Sequence, residues 1–156
     1  MNRAGRAPAL LASALLACGS GGLAGGDGDR PWVSIRGTQV SVELARTPAE
    51  QVQGLSDRRE LAWGQGMLFQ YPRASFQRFW MKRMHFAIDM VWIRDGQLVE
   101  ISHRVPLPAP GTPDSRLPTY GARELIDSVL EVPAGFAQAH GWRRGDRVEL
   151  SPATQR

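Results

Sequence analysis

Asp95-Gly96 stands between two largely apolar runs, residues 88–94 and 97–103, and is the strongest local constraint in the chain. A two-residue β-turn wants positive φ at both central positions, which Asp tolerates and Gly accepts freely. The chain must therefore fold back there as an antiparallel hairpin. Regular pairing sets Arg94 opposite Gln97, Ile93 opposite Leu98, Val91 opposite Glu100 and Asp89 opposite Ser102. One face then carries Asp89, Val91, Ile93, Leu98, Glu100 and Ser102, apolar near the turn and polar far from it. The other carries Ile88, Met90, Trp92, Val99, Ile101 and His103 and is the expected core face, with His103 at its rim. Asp89 is expected at the open end of the resulting cylinder, where a binding site would lie.

The hairpin belongs to a longer run, residues 66–97, that gathers most of the aromatic and sulfur-bearing side chains. Around it the apolar segments are short and Gly (17) and Pro (11) frequent, which favours β structure joined by turns over a helical bundle. A chain of 156 residues suffices for one domain with a core. In residues 32–45, Val40, Val42 and Leu44 alternate with Ser41 and Glu43, so a first hairpin is predicted with its turn at Gly37-Thr38. Thr47-Pro48-Ala49-Glu50 is a helix start: Thr47 caps, Pro48 fits the first helical position and Glu50 reaches back. Gly54 ends that helix, and Val52 and Leu55 are expected to dock it on the sheet. Strands are predicted at 67–71, 79–81, 126–132 and 147–150, and a second helix over 133–140 with Phe136 and Ala139 inward. Residues 105–118 hold five prolines and read as an extended, stiffened loop.

The N-terminal segment reads differently. Arg3 and Arg6 precede a short apolar stretch, residues 7–16, too short to span a bilayer, and the stretch ends Leu15-Leu16-Ala17-Cys18. Cys18 is the single cysteine, so a disulfide framework and a thiolate metal cluster are excluded. The pattern resembles the lipobox of bacterial lipoproteins, which implies a leader over 1–17 and a lipidated Cys18 anchoring the chain to a membrane. Gly19 rather than Asp follows the cysteine, which in a two-membrane bacterium directs such a protein to the periplasmic face of the outer membrane. The Gly-rich residues 18–30 form the expected tether, residues 31–151 a single domain and residues 152–156 a loose tail. Of 19 Lys and Arg, Arg3 and Arg6 fall in the leader, leaving 17 basic against 15 acidic residues. That balance and the scatter of the basic residues give no nucleic-acid signal.

Five blocks taken together resemble a family catalogued as domain of unknown function 192, also called uncharacterised protein family 0127. They are TPAEQVQGLSDR (47–58), GMLFQY (66–71), FWMK (79–82) with Ile88-Asp89 downstream, RDGQLVEI (94–101) and LEVPAGFAQAHGWRRGDRV (130–148). The family usually follows FWMK with Asn-Thr, whereas this chain has Arg83-Met84. The resemblance implies a mainly β fold with short helices (α+β): a compact, mostly antiparallel β-barrel-like domain with two short flanking helices. It implies no activity.

The residues that carry chemistry are Lys82, His85 and Asp89, beside Trp80. A carboxylate at the start of a buried strand must find donors. In one reading Lys82, His85 and Asp89 hold a small polar or anionic ligand against Trp80. In the structural alternative, Asp89 accepts backbone amides or pairs with Lys82 or Arg83. An enzyme reading gives Asp89 a hydrolytic or proton-transfer role with Lys82 or His85. His103 and His140 read as structural, and the spacing of the three histidines gives no metal site. No GxSxG elbow is present, and no cofactor is implied. The function expected is that of a lipid-anchored envelope module that binds a small ligand or a partner.

Overall fold

A computed structural model describes residues 30–155. The leader, Cys18 and most of the tether lie outside the described residues. Among the described residues the turn-rich apolar pattern produces nine strands: β1 (Trp32–Ile35), β2 (Thr38–Ala45), β3 (Gln65–Ser75), β4 (Phe79–Trp80), β5 (Ile88–Arg94), β6 (Gln97–Val105), β7 (Thr119–Tyr120), β8 (Ile126–Pro133) and β9 (Val148–Leu150). Three short helices accompany them: α1 (Pro48–Gln53), α2 (Phe136–Ala139) and α3 (Pro152–Gln155). None of the described helices is long and apolar enough to cross a membrane.

Seven strands form one curled sheet, a half-barrel, in the order β6-β5-β8-β3-β2-β1-β9, while β4 and β7 make a separate two-stranded ribbon. The sheet is mixed, because β2 and β3 run parallel. The α1 crossover between them forces this: a tight hairpin would have made them antiparallel. All other pairs are antiparallel. The edges β6 and β9 meet at one end, where the Leu98 amide donates to the Asp146 carbonyl (2.9 Å) and the Val148 amide to the Gly96 carbonyl (2.9 Å).

The Asp95-Gly96 turn forms with φ of 49° and 70°, as its two residues dictate. Arg94 faces Gln97 and Ile93 faces Leu98, but Trp92 then faces Glu100. Val99 is an extra residue, a β-bulge, and everything beyond it slips by one. Val91 therefore faces Ile101, and Ser102 moves to the Trp92 face, where its Oγ accepts the Trp92 Nε1 hydrogen at 3.0 Å. His103, expected at the core rim, is exposed. A second irregularity sets His103 and Arg104 opposite Asp89, with Arg104 at φ 48°.

Both faces of β5 are buried, which a single core face did not anticipate. Val91 and Ile93 point into the curl with Val33, Val40, Leu68 and Leu130. Met90 and Trp92 point outward, under a second core that holds Leu55, Met67, Phe69, Met81 and Val129. Ser56 Oγ donates to the Lys82 carbonyl at 2.9 Å and pins the loop after α1 to the segment after β4, which covers this outer face.

Several local expectations are corrected by packing. The first hairpin turns at Arg36-Gly37 (φ 53° and 77°), one residue earlier than Gly37-Thr38, so that two positive-φ residues occupy its centre. The Thr47 capping box and the Gly54 stop are present, but of the two apolar residues expected to dock α1 only Leu55 is buried, and Val52 stays 69% exposed. Pro133 ends β8 rather than starting α2, and Ala137 takes the buried place expected for Ala139. The tail is folded as α3, held by Thr154, which is buried and donates through Oγ1 to the Ser151 carbonyl.

Candidate functional site

Alternation along a strand places neighbours on opposite faces. Asp89 pairs with Val132 and Met90 pairs with Glu131, so the two carboxylates leave the same pair of strands in opposite directions. Asp89 points into the curl and is 0% exposed. Its Oδ1 accepts the Arg104 amide (2.7 Å) and the Gly135 amide (3.0 Å), and its Oδ2 accepts the Ala137 amide (3.0 Å). The bulge at Arg104 and the left-handed Gly135 (φ 85°) are what aim these amides inward. A side chain at Gly135 would crowd the Arg104 guanidinium, 3.1 Å from an added Cβ. Asp89 thus fastens the end of β6 and the start of α2 to β5.

The structure does not bring the other candidates to Asp89. The Lys82 ammonium pairs with Asp114 and stands 6.0 Å from the centre of the Trp80 ring. His85 is exposed, and among the described residues no hydrogen bond or ion pair joins it or Lys82 to Asp89. His140 lies elsewhere, its ring 4.3 Å from Phe136 and its Nδ1 3.3 Å from Thr38 Oγ1. Among the described residues, no three of His, Cys, Asp and Glu come together as a metal ion would require.

Trp80 instead marks a cleft of about 310 Å³ on the outer face of the sheet. One wall is α1 and the turn after it, from Pro48 to Ser56; the other is Gln77, Arg78, Phe79, Trp80 and Met84. Phe69 and Tyr71 of β3 complete it, with Glu131 at its floor. Phe69 and Phe79 meet edge to face at 4.9 Å, and Phe79 meets Trp92 at 5.5 Å, so the aromatic wall is braced from the core.

Glu131 lies 5% exposed between Met67 and Met90, its partners on either side in the sheet. No hydrogen bond or ion pair to its carboxyl group is present among the described residues. Burial without a compensating charge pushes its pKa up to about 8, so the group is mostly uncharged at neutral pH. Tyr71, in the same cleft, is pushed up to about 12, first by burial and then by the nearness of Glu131. Sequence reasoning passed over Glu131. The signal was a carboxylate in the middle of the apolar strand 126–132, between Val129 and Pro133 on the alternating pattern.

The comparisons with known proteins agree with this architecture. The model of the DUF192 family, described as uncharacterized ACR, matches residues 32–150. A crystal structure of a protein of unknown function from Novosphingobium aromaticivorans is similar at a TM-score of 0.67 and 29% identity, covering 76% of this chain and 83% of that one. A crystal structure from Sinorhizobium meliloti, described as a candidate transcription regulator, is similar at a TM-score of 0.67 and 30% identity, covering 78% of this chain and 92% of that one. No curated protein matches. With the family model spanning both buried carboxylates and the whole curled sheet, the chain belongs to the DUF192 family.

Proposed function

We propose that this chain is a membrane-tethered binding module whose ligand site is the cleft over Glu131. The observation that carries the reading is the bare carboxyl group of Glu131 at the floor of an aromatic-walled cleft. Burial in an apolar setting disfavours the charged form of this carboxyl group, and a titratable group perturbed in that way inside a cleft marks a binding site. The cleft volume of about 310 Å³ is at the small end of ligand sites. Of the residues singled out by sequence, Trp80 lines the cleft, with Lys82 beside it. A reaction run by Asp89 with Lys82 or His85 would need a reachable carboxylate, and the amide cage around Asp89 favours binding over that alternative.

The test is a thermal-shift screen of small molecules on the wild type, Trp80→Ala and Lys82→Ala. Trp80 is 48% exposed, so its loss leaves the core intact. The expected result is protection of the wild type that Trp80→Ala abolishes and Lys82→Ala weakens. A wild type protected by nothing in the screen overturns the reading. The tether is proposed on the sequence alone: the leader, the small residues before Cys18 and the Gly-rich stretch after it support lipidation and an envelope location. Palmitate labelling of the wild type, lost in Cys18→Ser, is the expected result; an unlabelled wild type ends that part of the proposal.

A further inference from the structure

We propose that the cleft takes a small organic carboxylate with an apolar body, an aryl or short alkyl acid. This rests on the cleft being a ligand site and names the class of ligand. The argument starts from which polar groups are already committed. The Gln51 amide donates to the Ala45 and Gln70 carbonyls, Gln53 to the Ser56 carbonyl, Gln77 to Ser75 Oγ, and Ser56 Oγ to the Lys82 carbonyl. Glu131, Tyr71 and Arg78 also line the cleft, and their side chains have no hydrogen-bond or ion-pair partner among the described residues. All three can donate: an uncharged carboxyl hydrogen, a phenol hydrogen and a guanidinium. The remaining lining, from Leu55, Phe69, Phe79, Trp80 and Met84, is apolar.

The three glutamines keep Oε1 as an acceptor, yet the donors that no protein group uses, with the apolar walls, suit a ligand whose polar end accepts. Charge points the same way. With the Glu131 carboxyl uncharged, Arg78 is the one charged side chain lining the cleft, and Lys82 stands beside Trp80, where its ammonium is shared with Asp114. An organic cation would meet these positive groups on entry and would need Glu131 ionised in an apolar setting. A carboxylate meets Arg78 and can share the Glu131 proton in a charge-assisted hydrogen bond. Gly121 packs against this segment: a Cβ there would meet the Gln77 carbonyl at 2.6 Å and the Arg78 side chain at 3.3 Å.

The three isosteres phenylacetate, phenylacetamide and phenethylamine separate the possibilities, with affinity measured by calorimetry between pH 6 and pH 9.5. Phenylacetate is expected to bind best at pH 7. Its affinity is then expected to fall about tenfold per pH unit once Glu131 ionises above about pH 8. Tyr71 stays protonated throughout that range. Glu131→Gln, which keeps a donor, should retain binding at pH 7 and lose the fall above pH 8. Arg78→Gln, at an exposed position, should weaken phenylacetate about tenfold and leave phenylacetamide unchanged. Phenethylamine binding best, more tightly as pH rises, overturns the ligand class while leaving the cleft a binding site. Failure of all three also overturns the class; the cleft itself falls only if the broader screen protects nothing.

Discussion

Asp89 and Glu131 are carboxylates on adjacent strands of one sheet, within one pairing position of each other, and both are buried. Asp89 faces the inside of the curl and holds three backbone amides from two separate segments. Glu131 faces outward between two methionines and holds none, with a cleft in front of it. Equal burial therefore hides opposite roles. A carboxylate whose lone pairs are filled by amides is part of the scaffold, and one left bare in front of a cavity is available to something else. The difference comes from the chain around each one. Asp89 sits opposite a bulge and beside a left-handed glycine, both of which turn amides inward; Glu131 sits in regular sheet, where every neighbouring amide is already in a ladder.

The sharpest way to break this contrast is to remove Asp89. Asp89→Ala leaves the buried Gly135 and Ala137 amides and the part-buried Arg104 amide without acceptors, and should cost about 3–5 kcal/mol in urea unfolding. Hydrogen exchange should then rise first at Gly135 and Ala137. A loss under 1 kcal/mol would show that Asp89 is no fastener.

Glu131→Gln should move stability the other way, and in a pH-dependent manner. Glu131 has its pKa raised from 4.5 to about 8, so between those values the folded state binds a proton that the unfolded state has released. Stability is therefore undiminished below about pH 4.5, falls as pH rises from there, and is lowest above about pH 8. The full cost is of order 4–5 kcal/mol at 1.36 kcal/mol per pKa unit. Gln does not ionise, so the variant should gain roughly 3 kcal/mol over the wild type at pH 7 and nothing near pH 4. Denaturation at both pH values checks this. A gain that persists at pH 4 would mean the effect is packing rather than charge.

Much of the scaffold was legible in sequence because it rests on local chemistry. Asp95-Gly96, the Thr47 capping box and the alternation in β2 each need only a few neighbouring residues. What was not legible depends on residues far apart. The bulge at Val99 carries no glycine or proline to announce it, and it moved Ser102 and His103 off the faces that regular pairing gives them. The second core, on the outer face of β5, takes Phe79 and Tyr120 from the ribbon of β4 and β7, and the Tyr120 end of that pair has no sequence signal. Asp89 was legible as a carboxylate needing donors, but its donors lie 15, 46 and 48 residues away. Glu131 reads as an ordinary acid in a strand until the sheet shows which side chains flank it.

The smallest expected effect separates the two carboxylates by location. Thr47 Oγ1 accepts the Glu50 amide at 3.3 Å, while Glu50 Oε2 accepts the Thr47 amide at 2.9 Å, and together they start α1. That helix walls the cleft over Glu131 and lies across the sheet from the Asp89 cage. Thr47→Ala should cost about 1 kcal/mol, the usual loss for an N-cap. Because α1 buries no residue of its own, the cap rather than packing within the helix holds its first turn. Amide exchange should therefore quicken over residues 50–56 and stay unchanged at Gly135 and Ala137. Equal acceleration at both places would mean that the two faces of the sheet open as one unit, and that the cleft has no independent give with which to admit a ligand.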